Sequence, residues 1–183
     1  MQIPTYQATT KDVNDAHNCL QTVNQDTIAC FRADTPVLTR NIRTNAIASI
    51  PVSEVYKGVH EVFCTSTQAF VPVIHNIVTG RIRSFMRINK DLLGVGKPDT
   101  DFYITAGHPI LIDGKEVLVQ NVPGAINQPC DPQYVFSICT PARTAIRING
   151  LDVMTWAPND WYITVNDWNI IWVENKARGP QRR

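Results

Sequence analysis

A single cysteine and a Thr-x-x-His triplet are the residues of this chain whose types and spacing suit covalent chemistry. Cys30 stands at the head of a short apolar stretch, Cys30–Thr39, and follows 29 mostly polar residues. Thr105 and His108 lie three positions apart in a second strand-like stretch, Phe102–Ile110. A cysteine with a distant histidine is the minimum for attack by a thiol on a carbonyl group. The pattern therefore predicts thiol chemistry on a carbonyl.

In this order, the two stretches resemble the hedgehog/intein (Hint) family, whose self-processing domains begin with a cysteine and carry a later Thr-x-x-His-Pro. A third stretch, Ile146–Val153, is similar to the closing strand of that family. The resemblance covers roughly residues 29–160. Asn149-Gly150-Leu151, followed by Trp156-Ala157-Pro158, is closer to the bacterial and viral Hint-like proteins than to inteins that splice. The resemblance implies the flat, horseshoe-shaped β-fold of the family.

The resemblance also implies a role for each candidate residue. The Cys30 thiol attacks the carbonyl of Ala29, and the oxyanion that forms collapses to a thioester in an N-to-S acyl shift. The amide resists this attack because resonance stabilises it and because its nitrogen leaves poorly unless it is protonated. The family pattern assigns that protonation to His108. It assigns polarisation of the amide and support of the oxyanion to Thr105.

The chain departs from the splicing members of the family at its C-terminal motif. Those members end with a His-Asn pair whose asparagine cyclises, whereas this chain has Met154-Thr155 at the corresponding place. The stretch Pro141–Thr144 also lacks the histidine that many members carry there. Asn159 lies too far along the chain to substitute without a change of register. We therefore expect cleavage at Ala29-Cys30 at most, without C-terminal splicing.

The candidate residues also have ordinary structural interpretations. An isolated cysteine at the start of a strand is usually a core residue, and a Thr-x-x-His triplet usually lies on a surface strand. His17, His60 and His75 are accompanied by no second histidine or acid at metal-ligand spacing. We therefore interpret these three as structural and expect neither a metal nor a cofactor.

Composition is typical of a soluble globular domain. The chain has 183 residues, of which 44% are hydrophobic and 18% charged, with a net charge of +1. These values indicate neither a nucleic-acid partner nor a membrane partner. No apolar run approaches a membrane span, and residues 1–29 lack the apolar core of a signal peptide. We therefore expect a cytoplasmic or virion location.

The five cysteines form an odd set without a Cys-x-x-Cys motif. This usage favours thiols in a reducing compartment over a disulfide framework or a zinc site. Cys64, Cys130 and Cys139 are most simply interpreted as core or rim residues.

Strand patterns dominate the chain from Cys30 onward, because short segments rich in β-branched and aromatic residues alternate with turn residues. The predicted strands are Thr35–Thr39, Val52–Tyr56, His60–Thr65, Phe70–Ile77, Arg81–Ile88, Tyr134–Ile138 and Thr144–Val153. Turns are predicted at Lys57-Gly58, Thr79-Gly80 and Asp113-Gly114, and loops over Leu92–Thr100 and Asn127–Pro132. The predicted fold class is all-β, as a sandwich or a barrel-like sheet.

Three segments are expected. Residues 1–29 form a leader with one short helix, residues 30–160 the Hint-like domain, and residues 161–183 an added hairpin with a basic tail. The hairpin carries Trp161, Trp168 and Trp172, which either cover the open side of the sheet or form a docking surface for another protein. The positive side chains near the C-terminus are either solvated or dock on an acidic surface.

Two functions of different classes follow, together with a third possibility. The first is a structural or interaction subunit of a larger assembly, such as a minor capsid or other virion protein, with a silent Cys30 site. In that case, both ends of the chain contact other protein chains. The second is autoprocessing at Ala29-Cys30 by an N-to-S acyl shift. The third is a β-sandwich binding module unrelated to the Hint family.

Overall fold

The structure, a computed structural model, describes residues 28–158 and 173–174. Strands account for nearly all of the regular structure in these residues. They are β1 (Phe31–Arg32), β2 (Pro36–Asn41), β3 (Ile47–Pro51), β4 (His60–Cys64), β5 (Ala69–Pro72), β6 (His75–Ile88), β7 (Phe102–Ile104), β8 (Pro109–Ile112), β9 (Lys115–Leu118), β10 (Ile126–Cys139), β11 (Ala145–Ile148), β12 (Leu151–Met154) and β13 (Val173–Glu174). Two single 3₁₀ turns, Val52–Glu54 and Val119–Asn121, complete the elements. The all-β class predicted from the sequence is confirmed.

The strands form two sheets. In the first sheet the order is β10-β1-β7-β6-β13, and β10 also pairs with β6, so that β10, β1, β7 and β6 close into a small barrel. The second sheet has the order β3-β2-β4-β11-β12-β8-β9, and β5 pairs with β4 outside this path. All these pairings between strands are antiparallel.

The ends of the chain are described only in part. Residues 1–27, which hold the predicted leader helix, lie outside the described residues, as does most of the predicted C-terminal hairpin. Within that hairpin, Val173 and Glu174 are described, and they pair with Val78 and Ile77 of β6. The end of the predicted hairpin therefore extends the first sheet.

Buried apolar side chains form one large core and one small cluster. The large core includes Phe31, Ile104 and Phe136 from the first sheet and Ile110, Ile146 and Val153 from the second. The small cluster consists of Ile28, Cys30, Ile82, Phe85 and Val135, with Tyr103 and Cys130 packed against it. The residues on both sides of Ala29 therefore lie in the small cluster.

Two predicted turns agree with the structure because their residues suit the backbone that a turn requires. Asp113 and Gly114 have φ values of 49° and 76°, as a two-residue hairpin between β8 and β9 needs. The residues at Lys57-Gly58 form a turn before β4. The predicted loop over Leu92–Thr100 also agrees.

The predicted strand Val52–Tyr56 is wrong: Val52–Glu54 form a 3₁₀ turn, and Val55 and Tyr56 belong to no strand. The side chain of Asn76 stabilises this turn from β6. Its Nδ2 donates to the carbonyls of Val52 and Val55 at 2.7 and 2.8 Å. A buried amide that satisfies two carbonyl groups overrides the local preference of valine for a strand.

Two predicted interruptions are also wrong, because they lie inside the long strands β6 and β10. The predicted turn at Thr79-Gly80 and the predicted loop Asn127–Pro132 coincide with shifts of register between these two strands. Pairing along two strands of 14 residues each accommodates the glycine and proline residues as bulges. The chain therefore continues in β-structure through both places.

No helix in the part of the chain that the structure describes has the length and apolar character needed to cross a membrane.

Candidate active site at the Ala29–Cys30 peptide bond

The register of β1 brings the candidate cysteine to its neighbours. Phe31 in β1 pairs antiparallel with one residue of β7 and with one of β10. Cys30, which precedes Phe31, therefore lies beside the residues that follow those partners, Thr105 after β7 and Ser137 within β10. Cys30 is 1% exposed, so the thiol is inside the molecule.

A second register positions the histidine. In the second sheet β12 pairs antiparallel with β8, with Val153 opposite Ile110. The end of β12 therefore meets the start of β8, and His108 Nε2 lies 2.8 Å from the carbonyl oxygen of Met154. A carbonyl oxygen only accepts hydrogen bonds, so Nε2 carries the proton.

The sequence predicts that Thr105 and His108 lie on one strand. In the structure they do not. β7 ends at Ile104, and residues 105–108 form a turn in which the N–H of His108 donates to the carbonyl of Thr105 at 3.1 Å. A straight strand would direct residues i and i+3 to opposite faces. The turn instead buries both side chains completely.

Thr105 holds the backbone on both sides of the Ala29–Cys30 bond. Its Oγ1 accepts from the N–H of Cys30 at 2.8 Å and donates to the carbonyl of Ile28 at 2.7 Å. Its own N–H donates to the carbonyl of Cys30 at 3.2 Å. The sequence assigned Thr105 the further task of binding the oxyanion on Ala29, whereas these contacts go to Ile28 and Cys30. Thr105 therefore fixes the amide nitrogen and the neighbouring carbonyls.

Two other side chains donate to the carbonyl oxygen of Ala29. Ser137 Oγ donates at 2.9 Å and Trp156 Nε1 donates at 3.0 Å. Ser137 Oγ also lies 3.0 Å from Cys30 Sγ. A hydroxyl has only one proton, and Ser137 gives it to Ala29, so the thiol is the donor in the second contact. Ser137 thus binds both the nucleophile and the carbonyl that precedes it.

Trp156 reaches Ala29 because the chain after β12 runs beside the end of β10. Trp156 forms a parallel bridge with Cys139, and its N–H donates to the carbonyl of Ile138 at 3.1 Å. The guanidinium group of Arg143 lies 6.0 Å from the centre of the indole ring. The backbone and a cationic side chain therefore both fix the indole.

Burial determines the electrostatics of His108. Removal from water lowers its pKa to about 4, the nearby backbone groups of Met154 and Cys30 oppose this shift, and the positive charge of Arg143 adds slightly to it. The ring packs on Phe31, with 4.5 Å between the two ring centres. Its Nδ1 is buried without a hydrogen-bond partner within the described residues. At neutral pH the imidazole is therefore neutral and presents a lone pair on Nδ1.

A cysteine outside this site, Cys64, has an unusually acidic thiol. Burial raises the pKa of Cys64, but the hydroxyls of Ser66 and Thr144 and the hydrogen bonds from Thr67 outweigh it and lower the value to about 7. Cys64 Sγ lies 2.6 Å from Thr144 Oγ1. This thiol belongs to β4 in the second sheet, so it is a useful internal comparison for Cys30.

No family model matches this chain, and no curated protein matches it. Among solved structures, the chain is similar to the crystal structure of a DnaB intein from Synechocystis sp. PCC 6803. The two are 13% identical with a TM-score of 0.47, and the match covers 70% of this chain and 99% of the intein. The roles of individual residues rest on the contacts described above.

The sequence did not reveal Ser137 or Trp156. A serine in an apolar strand and a tryptophan after a hairpin show no spacing that distinguishes them from other residues of their type. Only the pairing of β1 with β10 and the bridge between Cys139 and Trp156 bring them to Ala29.

Within the described residues, no group of three histidine, cysteine or acidic side chains is arranged to hold a metal ion.

Proposed function

We propose that this chain is a self-processing domain that performs an N-to-S acyl shift at the peptide bond between Ala29 and Cys30. The observation that carries this proposal is the pair of side-chain donors on the Ala29 carbonyl, Ser137 at 2.9 Å and Trp156 at 3.0 Å. Donors held in advance around a carbonyl oxygen stabilise the negative charge that develops there during acyl transfer. The thiol that would attack this carbonyl is already bound to one of the two donors.

The first half of the reaction forms the tetrahedral intermediate. Cys30 Sγ forms a bond to the carbonyl carbon of Ala29, and the carbonyl electron pair moves to the oxygen. Ser137 and Trp156 hold that oxygen. The thiol proton passes to a base, for which Nδ1 of His108, a buried nitrogen with a lone pair, is the candidate.

The second half breaks the carbon–nitrogen bond. The electron pair of that bond stays on the nitrogen of Cys30, and the proton taken from the thiol is delivered to it, so that an amine leaves. The products are a thioester between Ala29 and Cys30 Sγ and a new amino group on Cys30, with no atom gained or lost. Thr105 Oγ1 holds the original N–H of Cys30, so the new proton must arrive on a face of the amide.

The thioester is the end point that these residues support. Met154-Thr155 offers no asparagine for cyclisation. Release of residues 1–29 then requires an added nucleophile. A small thiol supplies one, by exchange at the thioester.

Intact mass spectrometry under denaturing conditions tests this function. We expect incubation with dithiothreitol to release residues 1–29 from the wild type. We expect no release from Cys30→Ala and a rate at least about tenfold lower from His108→Ala. Cys64→Ala is the matched control, since it removes another buried thiol, outside the site, and should leave the rate unchanged. A wild-type mass that stays unchanged after long incubation with thiol would refute self-processing.

A second candidate function is a structural or interaction subunit of a larger assembly, such as a virion, with the Cys30 site silent. The depressed pKa of His108 favours it, because an imidazole that is neutral at pH 7 keeps its one proton on Nε2, in the hydrogen bond to Met154, and has none on Nδ1 for the leaving nitrogen. Such a subunit would contact other protein chains and would keep residues 1–29 attached. Cross-linking of the chain within its native assembly would identify those neighbours. Recovery of the chain as a monomer already cleaved after Ala29 would contradict this role.

A further inference from the structure

We infer that the domain recognises the residue two positions before the reacting cysteine, Ile28, and that this recognition sets which N-terminal segments can be processed. This inference rests on the proposed function. Ile28 is 3% exposed and belongs to the small apolar cluster with Ile82, Phe85 and Val135. The cluster is separate from the main core. Ile82, Phe85 and Val135 therefore form an apolar pocket around Ile28, apart from the main core.

The position of Ile28 is coupled to the reacting bond by one hydroxyl group. Thr105 Oγ1 donates to the carbonyl of Ile28 at 2.7 Å and accepts from the N–H of Cys30 at 2.8 Å. A displacement of Ile28 therefore changes the group that orients the amide nitrogen. Displacements of about 1 Å at a reacting centre can lower a rate by about a hundredfold.

The nucleophile shares the same pocket. Cys30 packs in the cluster with Ile28, so the volume at position 28 also bears on where the sulfur lies. Ile28 belongs to the segment that the acyl shift separates from the amide nitrogen. The pocket, as it surrounds Ile28 before the reaction, fits a branched aliphatic side chain at position 28.

Variants at position 28 test this recognition through the rate of thiol-induced cleavage, measured by denaturing mass spectrometry at a temperature well below unfolding. We expect Ile28→Val to cleave at nearly the wild-type rate. We expect Ile28→Ala to cleave at about one tenth of the wild-type rate or at a still lower rate. We expect Ile28→Asp to be inactive, because the pocket offers no partner for a carboxylate.

Two comparisons separate recognition from general stability. Ile148→Val shortens a buried isoleucine of the main core, so it should lower the melting temperature and leave the cleavage rate unchanged. Ile28→Phe should cleave slowly because it overfills the pocket, and Phe85→Leu in the same chain should restore at least part of the rate.

The outcomes distinguish this inference from the proposed function. If the wild type cleaves and both Ile28→Ala and Ile28→Phe cleave at the wild-type rate, the recognition of position 28 is overturned and self-processing stays intact. A wild type that does not cleave overturns both. A cleavage rate that follows the size of residue 28 and is restored by Phe85→Leu supports the inference.

Discussion

At the scale of single residues, the site depends on two donors that meet at one oxygen atom. Ser137 approaches the Ala29 carbonyl from β10, and Trp156 approaches it from the segment after β12. Ser137 also accepts a hydrogen bond from the thiol of Cys30, so it contacts both the nucleophile and the carbonyl, whereas Trp156 contacts the carbonyl alone. The two residues should therefore differ in how much the reaction loses when each is replaced.

Replacement of these donors gives the first prediction. We expect Ser137→Ala to slow thiol-induced cleavage by about 10²–10³-fold, the loss typical of one oxyanion donor. We expect Trp156→Phe, which keeps a ring but removes the N–H, to slow it less. Ser49→Ala on β3, where the serine is exposed, should change nothing. Equal rates for the wild type and Ser137→Ala, measured by mass spectrometry, would remove the oxyanion argument.

A second prediction concerns pH and the stability of the fold. The pKa of His108 is about 4 in the folded chain against an ordinary value of 6.5. Above pH 6.5 the ring is neutral in both states, and its contribution to stability is complete. As the pH falls from 6.5 toward 4, the unfolded chain binds a proton that the folded chain does not, so up to about 3 kcal/mol is lost.

Urea unfolding at pH 7 and pH 4.5 measures this loss in the free energy of unfolding. His108→Gln should reduce the difference between the two pH values, because its amide does not titrate. His60→Gln is the comparison, since burial also lowers the pKa of His60, which is only half-buried. We expect it to reduce the difference by less. Identical pH dependence in the wild type and His108→Gln would contradict the buried, neutral imidazole.

The sequence predicts the site only as far as motifs extend. Cys30, Thr105 and His108 could be selected because their types and order resemble a known family. The structure brings Thr105 into hydrogen-bond contact with Cys30 and directs His108 to Met154. The catalytic roles of the three remain predictions. The donors on Ala29 could not be selected, because their positions depend on strand register, which no local pattern in the chain specifies.

At the scale of elements, a turn could be predicted where it requires positive φ values that its residues favour. It could not be predicted where pairing along a long strand determines whether the chain turns. Asp113 and Gly114 adopt positive φ values, so their signal is local. The stretch around Gly80 and the stretch Asn127–Pro132 look like interruptions, but β6 and β10 continue through both. A glycine or proline therefore marks a turn only when the partner strand also ends there.

The turn between β11 and β12 gives a prediction at this scale. Gly150 has a φ of +77°, and a Cβ there would lie 2.0 Å from the backbone oxygen of Gly96. We expect Gly150→Ala to destabilise the fold by about 2 kcal/mol or more, since it adds a backbone collision to the cost of a left-handed conformation.

Gly58→Ala isolates the conformational cost. Gly58 has a φ of +72° and nothing within 4 Å of the place where its Cβ would be. The difference between the two variants in the free energy of unfolding therefore measures the approach of the β11–β12 turn to the loop of Gly96. Equal losses in the two variants would show that this approach has no energetic effect.

At the scale of the whole molecule, the fold class follows from composition and strand patterns, but closure of the barrel does not. The closure requires β10 to pair with β6 as well as with its neighbour β1, although β10 and β6 are the two ends of the run β10-β1-β7-β6. Such contacts are distant in sequence and leave no periodic signal. The domain boundary near residue 160 is a prediction from the motifs. Val173 and Glu174, which lie beyond it, add a strand to β6.

Shortening the chain tests the part that β13 plays. A chain that ends at residue 160 lacks β13 and leaves the backbone of Ile77 and Val78 without that neighbour. We expect it to self-associate more in analytical ultracentrifugation, because an open strand edge favours pairing with a second copy. A chain that ends at residue 175 keeps β13 and lacks the basic tail, so it is the control. If both chains sediment alike, β13 does not protect the edge of the sheet.

The hydrogen bond between Ala29 and Trp156 joins residues 127 positions apart. It is therefore also a mechanical link between the segment that precedes β1 and the segment that follows β12. Tension between these two segments would act directly on this bond and on β1, which has only two residues, before it reached the longer strands. Such a load would then separate the carbonyl from its donors while most of the barrel stayed folded. In an optical trap with one handle before residue 28 and the other at residue 157, thiol-induced cleavage should stop at forces too small to unfold the domain.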